Sequence, residues 1–157
     1  MKVGVLLPSR FEDPGEFLAD ARAMEAAGAD SIWLEDGDGY DPMLALAAIA
    51  AVTGKLRLGL ILPDSPSPAR GGGSGRGLNT LQHLSRQRVI STPSSLPLSG
   101  WRRVEVPADR EAWAATLERA RQDGVEGVLV PLDPRLLDIL RHPEDAIDRS
   151  DLILAQG

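Results

Sequence analysis

The sequence predicts an α/β fold built from parallel β/α units, and three observations predict it. Short apolar runs without polar alternation recur along the chain, as they do in strands covered on both faces. Three Asp-Pro pairs, Asp13-Pro14, Asp41-Pro42 and Asp133-Pro134, each follow such a run after a short loop. The order helix, glycine, small residue, acid, apolar strand appears twice, at Ala27–Leu34 and at Asp123–Val130. Strand, capped helix and strand in that rhythm mean a parallel sheet with right-handed crossovers.

Val3 to Leu7 is the first strand, stopped by Pro8-Ser9-Arg10. Asp13 is placed to cap a helix, with Pro14 at its first position and Glu16 in the capping-box place. Phe17, Leu18, Ala21, Met24 and Ala27 continue it at near-helical spacing, and Gly28 ends it. Ser31–Leu34 is the second strand, running into Glu35-Asp36-Gly37. The second helix starts at Asp41-Pro42 and runs through Met43, Leu44, Leu46, Ile49 and Val52 to Gly54. Leu56–Leu62 is the third strand.

Residues 63–77 are nearly all Pro, Ser and Gly and read as a long flexible loop, and 91–100 as a Ser/Pro-rich connector. Strands are also expected near 88–91, 125–130 and 151–155, and helices over 109–122 and after Asp133. That gives about six strands. Arg102–Val106 alternates and is a candidate extra edge strand.

Composition narrows the function. The net charge of −6 disfavours nucleic-acid phosphates and anionic membrane surfaces. With no cysteine, disulfides and thiolate chemistry are excluded. Two histidines, His83 and His142, are too few for a histidine-rich metal centre. No signal peptide or membrane-spanning run is expected, so the cytoplasm is the default compartment. No Gly-Lys-Ser/Thr follows the glycines at 71–75, so they are not a P-loop. Arg70 and Arg76 flank these glycines, and the composition favours a flexible loop over a phosphate cradle.

Several residues together carry a resemblance. The opening Met1–Pro8, the segment Glu25-Ala26-Ala27-Gly28-Ala29-Asp30-Ser31-Ile32-Trp33, and Asp41-Pro42 followed by Thr53–Gly59 are similar to the opening of luciferase-like monooxygenases. So is Thr80-Leu81-Gln82-His83-Leu84-Ser85-Arg86-Gln87-Arg88-Val89-Ile90, with Arg86-Gln87 where the family has a Gly-Gly pair. The resemblance covers roughly residues 1–91. It implies a partial or reduced TIM-type barrel over a single domain, 1–157. FMN or F420 would bind at the C-terminal ends of the strands, where substrate is oxidised with or without oxygen.

On that reading Glu35 and Asp36 end the second strand, where barrels build their chemistry, and are the candidates for substrate contact and proton transfer. Leu60 and Ile61 would lie with their backbone beside the flavin ring. Ser91 and Thr92 would hydrogen-bond its edge, and Asp133, at a later strand end, would also line the cofactor site, though its simplest role is a helix cap. Trp33, Trp101 and Trp113 are expected in packing, and His83 on a helix. Six strands do not close an ordinary eight-strand barrel. Either a smaller, distorted barrel forms or two chains meet as a homodimer through open sheet edges. The alternative to an oxidoreductase is a flavin-holding or structural relative without catalysis.

Overall fold

A computed structural model describes residues 1–37, 39–63, 74–93 and 100–141. Six parallel strands make one sheet: β1 (Lys2–Leu6), β2 (Ser31–Glu35), β3 (Arg57–Leu62), β4 (Val89–Pro93), β5 (Trp101–Arg103) and β6 (Gly127–Pro131). Among the described residues five helices accompany them: α1 (Pro14–Ala26), α2 (Pro42–Val52), α3 (Ser74–Leu84), α4 (Arg110–Gln122) and α5 (Pro134–Arg141).

The Asp-Pro signals mark helix starts for a stated reason. Asp13 accepts from the N–H groups of Gly15 (2.6 Å) and Glu16 (3.3 Å). Asp41 accepts from those of Met43 (2.9 Å) and Leu44 (3.4 Å). Each carboxylate satisfies N–H donors that a helix start leaves unpaired. Asp109 caps α4 in the same way, through Ala112 N–H at 2.8 Å.

The strand order is β4-β3-β2-β1-β6-β5. Read from β5, the strands run 5, 6, 1, 2, 3, 4, which is chain order around a circle. In a closed β/α barrel the last strand pairs with the first, and here β6 pairs with β1 from Lys2↔Gly127 to Leu6↔Pro131. Among the described residues the circle is interrupted once, between β4 and β5. The fold is therefore a half-barrel of six strands with its seam at that point.

The two sheet faces differ. Val3, Val5, Ile32, Leu34, Leu58, Leu60, Val128 and Val130 pack outward against the helices in the main core. The alternate residues Leu6, Trp33, Ile61, Ile90, Trp101 and Leu129 form a second cluster on the inner face. Trp33 of β2 and Trp101 of β5 meet edge to face, with ring centroids 5.5 Å apart. These strands are three positions apart, about 14 Å on a flat sheet. Their contact, and an ion pair between Glu35 and Arg103 on the same two strands, need the sheet to roll inward.

Glycines make the room. A Cβ on Gly59 would lie 2.0 Å from the Trp33 ring, and one on Gly4 would sit under 3 Å from both tryptophans. Ser31 Oγ accepts the Trp33 indole N–H at 2.9 Å, which satisfies the only polar group on that ring.

Some boundaries differ from the sequence reading. Ser74–Gly77, expected in a loop, form the first turn of α3. The glycine penalty there is offset by packing, since Gly77 lies against Met43 of α2. The alternating segment expected at 102–106 contributes the edge strand β5, over Trp101–Arg103. The strand expected at 151–155, His142, and residues 64–73 and 94–99 of the two loops lie outside the described residues.

Candidate active site

The C-terminal ends of β2, β3 and β4 are held in one register. Glu35 pairs with Ile61, and Ile61 with Thr92, so three of the predicted residues form a single row. Ile61 is buried on the inner face beside the tryptophans. Thr92 is also buried, and Glu35 is half-exposed. Leu60 and Ser91 form the neighbouring row one residue lower. The Leu60 side chain faces the helices in the main core, so only its backbone borders the mouth. Ser91 is exposed along the edge strand. Asp36 follows the row, and its N–H donates to Ile61 C=O at 2.9 Å, which extends the ladder.

Asp133 lies two residues past β6, at the start of α5. Its carboxylate accepts from Arg135 N–H (2.9 Å) and from two guanidinium nitrogens of Arg135 (2.9 and 3.0 Å). Those side-chain bonds first, then the backbone bond, hold its pKa below the ordinary aspartate range. It is tied to the start of α5 and stands apart from the Glu35–Ile61–Thr92 row.

The residue that sequence reasoning did not find is Arg103. Its guanidinium is paired with Glu35 across the inner face, above the two tryptophans. Only parity pointed to it: in β5, residues 101 and 103 share a face, so the arginine goes where Trp101 goes. Both partners are about half-exposed, so the pair adds at most about 1 kcal/mol to stability. Its importance is chemical. It places a carboxylate and a guanidinium side by side at the mouth of the half-barrel.

A second polar cluster lies at the opposite, N-terminal end. Glu25 accepts from the N–H groups of Gly54, Lys55 and Leu56 at 3.0, 2.6 and 3.0 Å. Desolvation raises the Glu25 carboxyl, but the bonds from Lys55, Leu56 and Gly54, with Arg88 nearby, outweigh it and hold the pKa low. Arg88 donates to the carbonyls of Ala50, Thr53, Leu56 and Ser85 and to Thr53 Oγ1, at 2.8–3.1 Å. It closes the C-terminal end of α2. Residues at this end of a barrel serve stability rather than chemistry.

Leu6 and Ile61 lie beside the tryptophans as an apolar surface, and Thr92 shares the Ile61 row, while Ser91 falls in the Leu60 row, on the helix side of the sheet. Among the described residues, no group of three or more His, Cys, Asp or Glu could hold a metal ion. Nor is any helix among them long and apolar enough to cross a membrane.

Comparison with known proteins follows the same outline. The luciferase-like monooxygenase family model matches residues 1–91. No curated protein matches the chain. Of solved structures, a long-chain alkane monooxygenase (LadA) superposes with a TM-score of 0.52 at 15% identity, over 76% of this chain and 38% of that one. The coenzyme F420 dependent tetrahydromethanopterin reductase of Methanopyrus kandleri gives 0.48 at 21% identity, over 73% and 29%. The chain thus spans well under half the length of either.

Proposed function

The chain belongs to the luciferase-like monooxygenase family, and from that premise we propose that its half-barrel mouth binds a flavin, FMN or F420, and oxidises or reduces a small-molecule substrate there. The observation that carries this is the Glu35–Ile61–Thr92 row, which sets one acid, one apolar surface and one hydroxyl at the strand ends of the part that matches the family.

Bound there, the flavin would supply the hydride chemistry. The chain's own residues would do the rest. Leu6, Ile61 and the backbone of Leu60 would support the ring, and the Thr92 hydroxyl and the Ser91 backbone would hydrogen-bond its edge. Arg103 would hold a carbonyl or anionic group of the substrate. Glu35, freed from Arg103 by that exchange, would accept or return a proton, with Asp36 beside it. The tryptophan layer keeps water from the floor of the site.

A second reading is favoured by one observation, the engagement of Glu35 with Arg103. If substrate does not displace that pairing, the protein holds flavin without turning it over. Equilibrium titration with FMN and with F420, followed by a turnover assay, separates the two. Under the first reading a flavin binds saturably at micromolar levels, and Glu35→Gln lowers kcat while leaving flavin affinity within about twofold, since the acid touches substrate. Under the second, flavin binds and neither protein turns over. Absence of binding to either flavin contradicts both.

A further inference from the structure

Resting on the flavin reading of the same mouth, we propose that the substrate is a small monocarboxylate, its carboxylate anchored by Arg103 and its apolar body laid against Trp101. Two rungs cross the inner face between the same two strands. Trp33 of β2 and Trp101 of β5 make the first, with ring centroids 5.5 Å apart. Glu35 and Arg103, two residues further along each strand, make the second as an ion pair. Residues two apart in a strand share a face and lie about 7 Å from each other. A charged rung therefore stands one side chain above an apolar one.

The resident carboxylate shows what the guanidinium takes. Arg103 Nη2 donates to Glu35 Oε1. A guanidinium is a planar fork with no acceptor, and a free carboxylate matches it with two parallel bonds where Glu35 takes one arm. The pair is also open enough to exchange. Arg103 and Glu35 are 51% and 44% exposed, and pairs this open favour their bound state by about fivefold at most. Arg102 does not compete, since it points to the other face of β5 and is paired with Asp123.

The apolar rung sets the rest of the ligand. Trp33 is fully buried, whereas Trp101 is only partly covered and shares its strand and its face with Arg103. The Trp101 ring lies close against β1 and β6, where a Cβ on Gly4 or Gly127 would come within 3 Å of it. A flat apolar body carrying one carboxylate spans the two rungs. A flavin phosphate is the rival anion. The row proposed to hold the flavin runs through Ile61 and Thr92 on β3 and β4, at the opposite end of the strand order from β5.

The test is calorimetric titration of the full chain with benzoate, with neutral benzamide and with inorganic phosphate, each with and without saturating FMN or F420. Benzoate should bind saturably at millimolar concentration, with benzamide and phosphate weaker by about tenfold or more. Arg103→Gln should lose about tenfold in benzoate affinity with an unchanged circular dichroism spectrum. Glu35→Gln should gain up to about fivefold, a change that a merely structural ion pair would not produce. Bound flavin should leave benzoate affinity unchanged. Absence of benzoate binding, equal binding of benzamide, or full affinity in Arg103→Gln would overturn the anchor. Phosphate binding as tightly as benzoate would overturn the monocarboxylate class. Displacement of benzoate by either flavin would overturn the proposal by giving Arg103 to the cofactor. Benzoate binding in a protein that takes up neither flavin would uphold the anchor and remove the flavin reading alone.

Discussion

Gly59 shows how far a single missing methyl shapes this molecule. The Trp33 ring occupies the space a Cβ would need, 2.0 Å away, and both residues are buried. Gly59→Ala should therefore cost about 2–3 kcal/mol, because neither the ring nor the strand has anywhere to go. For a chain of this size that lowers the Tm by roughly 5–10 °C. Gly54→Ala is the control: nothing lies within 4 Å of its Cβ position, and the change should stay within about 0.5 kcal/mol. Thermal melts of both variants decide it. The opposite case is Arg86 and Gln87, which hold φ of 56° and 63°. Side chains with a Cβ are strained in that region, which explains the glycine pair seen there in the resembling family. Gln87→Gly should stabilise the protein by about 1 kcal/mol, read as a higher melting temperature.

At the scale of elements, the joint between α1, the α2–β3 loop and β4 depends on two side chains. Glu25 is held low in pKa, so its contribution to stability is present above the ordinary glutamate range and is lost as pH falls through the depressed folded value. Glu25→Gln should flatten the acid limb of a stability-versus-pH curve while leaving its neutral-to-alkaline shape unchanged. Arg88→Lys removes the forked donor that reaches four carbonyls at once, and chemical denaturation should show a loss of about 2 kcal/mol. These elements also show what the sequence discloses. Helix starts at Asp13, Asp41 and Asp109 were legible, because a cap is a local bond between neighbours. So were β1, β2, β3 and β6, because burial on both faces leaves an apolar run. The first turn of α3 was not legible, since its glycines argue against a helix and only contact with Met43 overrides them. Arg103 was not legible as a site residue, because its partner Glu35 is 68 positions away. Glu25 and Arg88 were missed for the same reason.

For the whole molecule, the central fact is the circular strand order with one seam. A family that builds its chemistry at the strand ends of a barrel is represented here by a half-barrel whose inner face is packed by Trp33 and Trp101. The sequence implied the reduced barrel through its strand count. It did not imply that the last strand would return to β1, because pairing partners at that range leave no local trace. The tryptophan layer also supplies a probe for the proposed site. A flavin seated on Leu6 and Ile61 would rest within a few ångströms of both rings and would quench their emission. Titrating the protein with FMN and with F420 while following tryptophan fluorescence is therefore the most direct test. A flavin bound at the mouth should give saturable quenching by one of them at micromolar concentration. Emission that falls only in proportion to added absorbance, without saturation for either flavin, would contradict it.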